Sequence, residues 1–562
     1  ENVMDLMCAC HNELLSFIDT CKANNLNPFF MIHMLVKSVF SCLVDADRYN
    51  AYCFEIGKAP EQQISVPPWE EYSERLEEYY STFTLVSEID HIRHNISEEC
   101  LRASNRQRGI YRLAVPTGGG KTLSSLRFAL NHAKEHNMER IIYIIPYLSV
   151  LEQTAMEIKK ALQCRSDEDF ILEHHSNIVL PDDENEVQAR RLLIDRWSQP
   201  IVITTMVQFL ESIYSHKGGD LRKLHNMSKA VFVFDEVQSL PVKCVYLFND
   251  ALNYLQTFGN CTALLCTATQ PLLDKVKQSI HLASRPELIA DTSKMFEKLK
   301  RTRIVDSIEN SGYTIKKLSE FVLNKLNEAG NCLVILNTKN DVAKLYNEVK
   351  NCISANKDTD IKLVHLSTSM CPAHRLDAID ALMEDGKKRR LKDERILCIS
   401  TQLIEAGVDV SFGCVVRALA GLDSIAQAAG RCNRNGEDPE GREVYVVNLA
   451  EENLSMLPDI KCGSDITRRI FNESAGELLS QAAMDRYYEE YFYKREGEMN
   501  FRYKDGNIYD LLTCNKKGIG AYKNFGNKSP LPSLWHAFQT AGEQFFVIER
   551  NTTSVLVPYK RG

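Results

Sequence analysis

The sequence combines a phosphate-binding loop with a distant arginine pair, and this combination constrains the fold more than any other feature. The loop occupies residues 115–122, Val-Pro-Thr-Gly-Gly-Gly-Lys-Thr, between a predicted strand and a predicted helix. The arginines lie far downstream in residues 427–434, Gln-Ala-Ala-Gly-Arg-Cys-Asn-Arg. A loop alone indicates phosphate binding, whereas arginines that reach the same phosphates require a second lobe folded against the first.

Length and composition indicate an ordinary soluble globular protein. A chain of 562 residues is too long for one core and predicts three to four domains. The net charge of −8 argues against a positively charged surface overall, but it allows nucleic acid to be held in a local groove. The 18 cysteines form no CxxC pair, which favours buried free thiols and a cytoplasmic location. No apolar run is long enough to predict a membrane span, and because Met4 is the first methionine we expect a partial or trimmed chain.

Short apolar runs alternate with helix-like stretches, and this alternation repeats once. Strands are predicted at 111–115, 141–145, 201–204, 231–234 and 262–266, and again at 332–336, 362–365, 396–400, 414–416 and 443–447. Runs that are apolar throughout favour parallel strands buried on both faces. We therefore predict an α/β protein with two doubly wound lobes, at 100–300 and 301–450. A helical segment (1–60), a linker (61–99) and a C-terminal accessory domain (451–562) complete the chain.

The loop has the residue types that phosphate binding requires. Its glycines let backbone N–H groups close around phosphate oxygens at a helix N-terminus. Lys121 is predicted to reach the β- and γ-phosphates and Thr122 to ligate Mg²⁺. The candidate nucleotide-binding residues are Thr117, Gly118, Gly119, Gly120, Lys121 and Thr122. The strict pattern has Gly at position 115, where this chain has Val115.

Paired carboxylates follow another buried strand. Asp235 is predicted to hold the Mg²⁺ shell and Glu236 to polarise the attacking water. An acidic pair after a strand also serves as a simple helix cap, and the loop upstream is what favours catalysis. Thr267 and Thr269, which follow the next strand, are predicted to link these carboxylates to whatever the lobe grips, or to cap their own turn.

The second lobe supplies the opposing groups. Arg431 and Arg434, spaced i, i+3, are predicted to lie on one helical face and to act as arginine fingers, with Gln427 orienting the water. Thr205 and Thr401, each after a predicted strand, are candidate contacts to a nucleic-acid backbone.

These motifs resemble those of superfamily 2 helicases. The acidic motif reads Asp-Glu-Val-Gln, and with the segments 145–153, 204–209 and 407–411 it is similar to the CRISPR-associated nuclease–helicase of type I systems. The resemblance implies two tandem RecA-like lobes, ATP and Mg²⁺ as cofactors, and Asp409 as a further nucleotide-binding residue. It also implies 3′ to 5′ translocation on single-stranded DNA, recruitment by a CRISPR surveillance (Cascade-type) complex, and a monomeric state.

That family carries an N-terminal HD nuclease domain, which uses a divalent transition metal. Residues 30–54 resemble its last helix, and Asp47 then corresponds to its final metal ligand. The earlier histidine motifs are absent and no His-Asp pair occurs in the sequence. We therefore expect the HD nuclease domain to be largely missing.

Other features leave alternatives open. The pair His174-His175 indicates either a metal site or a polar loop. The basic residues 387–390 (Lys-Lys-Arg-Arg) indicate either a solvated loop or a DNA contact. The aromatic residues of 487–493 indicate either base stacking or core packing. Two other functions remain open: another superfamily 2 DNA or RNA helicase, and a non-catalytic ATP-gated clamp on nucleic acid.

Overall fold

Two parallel six-stranded sheets organise the molecule. The computed structural model describes residues 3–59, 66–165, 168–175, 194–356, 360–382, 395–405, 410–436, 438–473, 477–524, 535–548 and 558–559. Helices flank both sheets, so the predicted fold class of two tandem RecA-like lobes is confirmed.

The first lobe has the strand order β1-β6-β5-β2-β4-β3. Its strands are β1 Ile110–Ala114, β2 Arg140–Ile145, β3 Ile171–His174, β4 Ile201–Thr205, β5 Ala230–Asp235 and β6 Thr262–Thr267. Every residue of β2, β4 and β6 is buried, because helices cover both sheet faces.

The second lobe has the strand order β7-β12-β11-β8-β10-β9. Its strands are β7 Thr302–Asp306, β8 Asn331–Ile335, β9 Lys362–Leu366, β10 Ile396–Ser400, β11 Val415–Ala418 and β12 Arg442–Val447. The sequence did not predict β3 or β7. Both are edge strands, and β7 is only half-buried and carries charges, so neither forms a continuous apolar run.

The helices fall into groups that precede, flank and follow the sheets. They span Val3–Ala23, Pro28–Glu55, Trp69–Ser81, Glu88–Ala103, Lys121–Glu135, Leu148–Ala161, Met206–Tyr214, Gly218–Leu221, Val245–Thr257, Thr292–Lys298, Ile315–Ala329, Lys339–Asn356, Pro372–Asp380, Leu422–Ala429, Pro458–Glu473, Gln481–Arg495, Ile508–Leu511, Lys516–Asn524 and Phe538–Gln544.

The segment predicted as a linker contributes to the first lobe. Trp69–Ser81 and Glu88–Ala103 place Trp69, Leu76 and Ile96 in the same core as the strands of that lobe. The helix Glu88–Ala103 begins with a capping box, in which Ser87 and Asp90 satisfy each other's backbone N–H groups.

The helix Pro28–Glu55, here called the anchor helix, has one buried and one exposed side. By length and composition alone it could cross a membrane, but it lies on the first lobe, and Phe30, Met31 and Met34 enter that lobe's core. Two buried polar contacts fix it there: the Lys37 ammonium donates to the Ile213 carbonyl at 2.6 Å, and Asp45 pairs with Arg222 at 2.9 Å.

The C-terminal segment packs across both lobes. The helix Gln481–Arg495, here called the tyrosine helix, buries Tyr487 and Tyr488. A short hairpin pairs β13 Arg502–Tyr503 with β14 Gly506–Asn507. The largely apolar runs 545–548 and 554–557 predict a hairpin around Asn551, and this position lies outside the residues that the structure describes.

Candidate functional site

The phosphate loop follows β1 and turns into the helix Lys121–Glu135. Gly118 and Gly120 both have φ of +82°, a conformation that suits glycine. Val115 is fully buried, and its side chain packs where a Cβ on Gly119 would lie. Valine at the position of the strict glycine therefore fills space beneath the loop and leaves the loop's form intact.

The acid pair lies directly opposite the loop. β5 ends at Asp235, and Glu236 turns away with φ of +47°. The Lys121 ammonium contacts the Glu236 carboxylate and lies 4.0 Å from Asp235 Oδ1. One cation thus bridges both carboxylates.

Burial and this cation shift the two acids in opposite directions. Burial raises the pKa of Asp235, against the opposing charge of Lys121. Burial acts on Glu236 as well, but the Lys121 charge and the hydrogen bonds from Lys121 and Gln238 outweigh it and lower the pKa of Glu236. Glu236 is therefore the more readily ionised of the pair, as a group that accepts a proton from water requires.

The second lobe presents its arginines just after a short helix, Leu422–Ala429, here called the arginine helix. The prediction that both arginines share a helical face is wrong, because the helix ends at Ala429 and Asn433 takes φ of +48°. Arg431 is instead fixed by donating to the carbonyls of Ile404 (2.9 Å) and Glu405 (2.6 Å).

Gly430 brings the two lobes into contact at the phosphate loop. A Cβ at this position would lie 2.5 Å from Thr117 Oγ1 and 2.7 Å from Thr117 Cβ. Its backbone is ordinary (φ −64°), so space, and not conformation, requires glycine. The arginine segment can approach the loop this closely only because residue 430 has no side chain.

One cavity of about 840 Å³ joins most of the predicted site residues. It is lined by Thr117, Gly118, Gly120, Lys121, Thr122, Asp235, Glu236, Gln427, Arg431 and Arg434. Asp409 lies outside the residues that the structure describes. The volume suits a nucleotide-sized ligand, and Tyr80, Phe83 and Leu85 line it further along.

A hydrogen-bonded chain leads from Glu236 to the end of β6. The Gln238 amide donates to Glu236 Oε2 at 2.5 Å, and the Thr267 hydroxyl donates to the Gln238 amide oxygen. The Thr269 N–H donates to Thr267 Oγ1 at 3.0 Å. Thr267 therefore caps its own turn and also contacts the acidic motif, and the predicted link from the two hydroxyls to a gripped ligand stays a prediction.

Three further charged residues at or beside the site were not among the predicted site residues. Arg93 donates from Nε to the Gly118 carbonyl at 2.8 Å, and Arg301 donates to the Arg434 carbonyl. Glu405 is buried beside Arg417 (2.7 Å), and burial raises its pKa to about 7. Glu405 lies between Thr401 and the motif segment 407–411, whereas Arg93 and Arg301 belong to no recognised motif. Folding brings Arg93 and Glu405 to the nucleotide cavity.

The predicted backbone contacts are largely buried. The Thr205 hydroxyl accepts from Gln208 N at 3.2 Å and caps the helix Met206–Tyr214. Thr401 is 8% exposed at the end of β10. The basic residues 387–390 lie outside the described part of the chain.

The structure supports no metal site in the N-terminal segment. Asp47 is exposed on the anchor helix, and no group of three or more His, Cys, Asp or Glu side chains within the described ranges could hold a metal ion. His174 is a core residue whose Nδ1 accepts from Trp197 Nε1 at 2.9 Å. Burial lowers the pKa of His174 to about 3, so the imidazole stays neutral.

Comparisons with known proteins agree with this geometry. Residues 95–278 match the model of the DEAD/DEAH box helicase family, and residues 328–437 match that of the C-terminal region of the CRISPR-associated nuclease/helicase Cas3. The chain is 26% identical to the CRISPR-associated nuclease/helicase Cas3 of Haloferax volcanii, over 67% of this chain and 52% of that protein. It is 24% identical to the CRISPR-associated nuclease/helicase Cas3 of Methanothermobacter thermautotrophicus, over 65% of this chain and 44% of that protein.

The fold is shared with a solved relative. The structure of T. fusca Cas3-ATP superposes with a TM-score of 0.59 at 17% identity, over 88% of this chain and 60% of that one. The chain spans about half the length of the curated relatives it matches. These findings bear out the predicted resemblance to the CRISPR-associated nuclease–helicases, and the match to the DEAD/DEAH box helicase family covers both the phosphate loop and the acid pair.

Proposed function

We propose that this chain, which resembles the CRISPR-associated nuclease/helicase Cas3 in both lobes, is an ATP-driven motor that translocates on single-stranded DNA. In type I CRISPR interference it would unwind target DNA for degradation by an HD nuclease, after recruitment by a surveillance complex of the Cascade type. The observation that carries the proposal is the contact of Gly430 with Thr117, which places arginines of the second lobe against the phosphate loop of the first.

The proposed hydrolysis assigns one task to each residue. Thr122 and Asp235 would hold Mg²⁺, and the bound nucleotide supplies a phosphoanhydride whose γ-phosphoryl group is open to water. Lys121 must leave Glu236 in order to contact phosphate, and this exchange frees the carboxylate to take a proton from water. Arg431 and Arg434 would offset the charge that develops on the phosphoryl group, and Gln427 would orient the water.

The exposed side of the anchor helix supports a nuclease partner. Val39, Phe40, Leu43 and Phe54 are 63%, 46%, 65% and 89% exposed and recur at helical spacing, and Asp47 lies among them. An apolar stripe of this kind marks an interaction surface. We propose that HD nuclease residues outside this chain cover the stripe and that their metal is held at this surface. With the stripe covered, the protein would work as a monomer in the cytoplasm.

ATP turnover with and without nucleic acid tests the proposal. Single-stranded DNA should stimulate hydrolysis more than RNA of equal length, and Lys121→Ala should reduce turnover by roughly 100-fold or more. Lys159→Ala, which removes a half-exposed lysine paired with Glu173, is the matched control and should leave turnover unchanged.

Each alternative predicts a different outcome. Stronger stimulation by RNA would favour an RNA helicase. ATP-dependent retention of DNA without turnover would favour an ATP-gated clamp. Strand displacement on a duplex with a 3′ overhang, but not a 5′ overhang, would support the proposed direction of movement.

A further inference from the structure

Two consecutive residues of the tyrosine helix contact different lobes. Tyr487 and Tyr488 are 2% and 3% exposed, and their ring centroids lie 5.2 Å apart. Their burial leaves no face of these two rings open for base stacking, so for Tyr487 and Tyr488 the geometry supports core packing, whereas Tyr493 of the same cluster is 83% exposed. Their hydroxyl groups, however, meet polar partners at the site described above.

Tyr488 extends the hydrogen-bonded chain of the first lobe. Its hydroxyl lies 3.3 Å from Thr269 Oγ1 and 3.4 Å from the Thr269 carbonyl oxygen. Thr269 is joined through Thr267 to Gln238 and so to Glu236. Four hydrogen-bonded steps therefore connect the C-terminal domain to the carboxylate proposed to activate water.

Tyr487 contacts the second lobe at the start of the arginine helix. Its hydroxyl lies beside the Asp423 carboxylate in the first turn of that helix, since Tyr487 Oη and Asp423 Oδ1 would both meet a Cβ placed on Gly421. It occupies the space that a Cβ on Gly421 would need, and a Cβ on Gly463 would lie 3.0 Å from the same oxygen. The two glycines make room for the hydroxyl beside the helix that presents Gln427 and leads into Arg431.

Ion pairs fix the last turn of the tyrosine helix. Arg495 at its last turn is 6% exposed and pairs with Asp459 and, at 2.6 Å, with Glu498. A cavity of about 250 Å³ beside the tyrosines is lined by Gln238 of the first lobe and Gln402 of the second. The pair thus borders the space between the lobes, where any relative movement of the lobes changes its contacts.

We propose that Tyr487 and Tyr488 are positioning residues that keep Glu236 and Arg431, on opposite sides of the ATP site, at a fixed relative position. Glu236 and Arg431 belong to different lobes, and the two tyrosines share one rigid helix, so displacement of one lobe is passed to the other through it. Nucleic acid that loads the C-terminal domain would then set the geometry for hydrolysis. This inference rests on the proposed ATPase motor and names one means of its regulation.

Removal of one hydroxyl tests the inference. Tyr488→Phe keeps the ring and deletes the contact with Thr269, so DNA-stimulated kcat should fall by about 5- to 10-fold, the effect of one lost hydrogen bond in the transition state. The KM for ATP should stay within about twofold, because phosphate contacts are untouched. Tyr493→Phe, on the same helix and 83% exposed, is the matched control and should behave as wild type.

Two further variants guard against a purely structural effect. Thr269→Val deletes the partner hydroxyl, and Tyr488→Phe combined with it should lower kcat no more than either change alone. Tyr487→Phe removes the contact with the second lobe and should lower kcat as Tyr488→Phe does. The melting temperature of each variant, measured alongside, shows whether the variant is destabilised.

The outcomes separate this inference from the proposed function. If wild type shows no DNA-stimulated turnover, the motor itself is refuted. If wild type is stimulated while Tyr488→Phe and Tyr487→Phe keep full kcat, even with a raised KM for ATP, the positioning role is refuted and the motor stands.

Discussion

Single residues set how closely the two lobes meet at the nucleotide. Lys121 bridges both acids, Arg93 donates to the phosphate loop, and Arg301 donates to the backbone that carries Arg434. These contacts gather positive charge around a loop that is built to hold phosphate. The closest approach of the lobes there depends on the absence of a side chain at Gly430.

Gly430→Ala should therefore uncouple binding from hydrolysis. The new Cβ would overlap the Thr117 side chain and hold the arginine segment away from the loop. We expect kcat for ATP to fall by about 100-fold, as displacements of about 1 Å cause, with ATP affinity changed by less than about threefold. Isothermal titration and steady-state turnover measure the two effects.

Gly520→Ala is the control for this substitution. Gly520 lies in the helix Lys516–Asn524, and a Cβ there meets nothing within 4 Å. Full turnover by Gly430→Ala would show that the lobes need not approach as closely as the structure places them.

At the scale of the element, the anchor helix is held by buried charge. Asp45 is 3% exposed and pairs with Arg222 and Arg196, each at 2.9 Å. Removal of one partner of a buried pair leaves an uncompensated charge. Asp45→Ala should therefore destabilise the contact between the anchor helix and the first lobe by about 3–5 kcal/mol.

Thermal unfolding and limited proteolysis of the anchor helix measure that loss. Asp47→Ala, two residues away on the exposed side, should change stability by less than about 0.5 kcal/mol. An equal loss in both variants would mean that the ion pairs do not hold this helix.

Lys37 on the same helix makes its stability dependent on pH. Burial lowers the Lys37 pKa from 10.5 to about 7, against the opposing charge of Asp220. Between these values the unfolded chain binds more protons than the folded one, so stability should rise with pH, by at most about 1.4 kcal/mol per unit. Urea unfolding at pH 7 and 9 measures the rise, and Lys37→Met should abolish it. An equal rise in stability with pH in Lys37→Met would mean that other titratable groups cause the rise.

At the scale of the whole molecule, the exposed stripe of the anchor helix leaves the chain with an unsatisfied surface. We expect reversible self-association of the chain alone, because burial of the stripe removes apolar area from water. Leu43→Glu combined with Phe54→Glu should shift sedimentation toward the monomer. Met456→Glu, which changes an 87% exposed residue elsewhere, should not. Unchanged association in the double variant would place the contact on another surface.

Much of the site could be predicted because catalytic residues of α/β lobes follow the ends of buried strands. The phosphate loop follows β1, Asp235 ends β5, and Thr267 ends β6. The edge strands β3 and β7 escaped prediction since neither contains a continuous apolar run, and β7 is also only half-buried. Asp47 was matched by motif alone, whereas burial shows that its neighbour Asp45 makes the structural contacts.

The sequence by itself determined two α/β lobes and the residues that could bind a nucleotide, because strand burial and phosphate loops leave local patterns. The tertiary structure alone decided which groups meet: Gly430 against Thr117, and Tyr488 against a threonine 219 residues before it. Such contacts join distant segments through space and packing, for which no local spacing exists. The arginine pair therefore lies on a turn that Gly430 and backbone carbonyls fix, and not on the helical face that its spacing predicts.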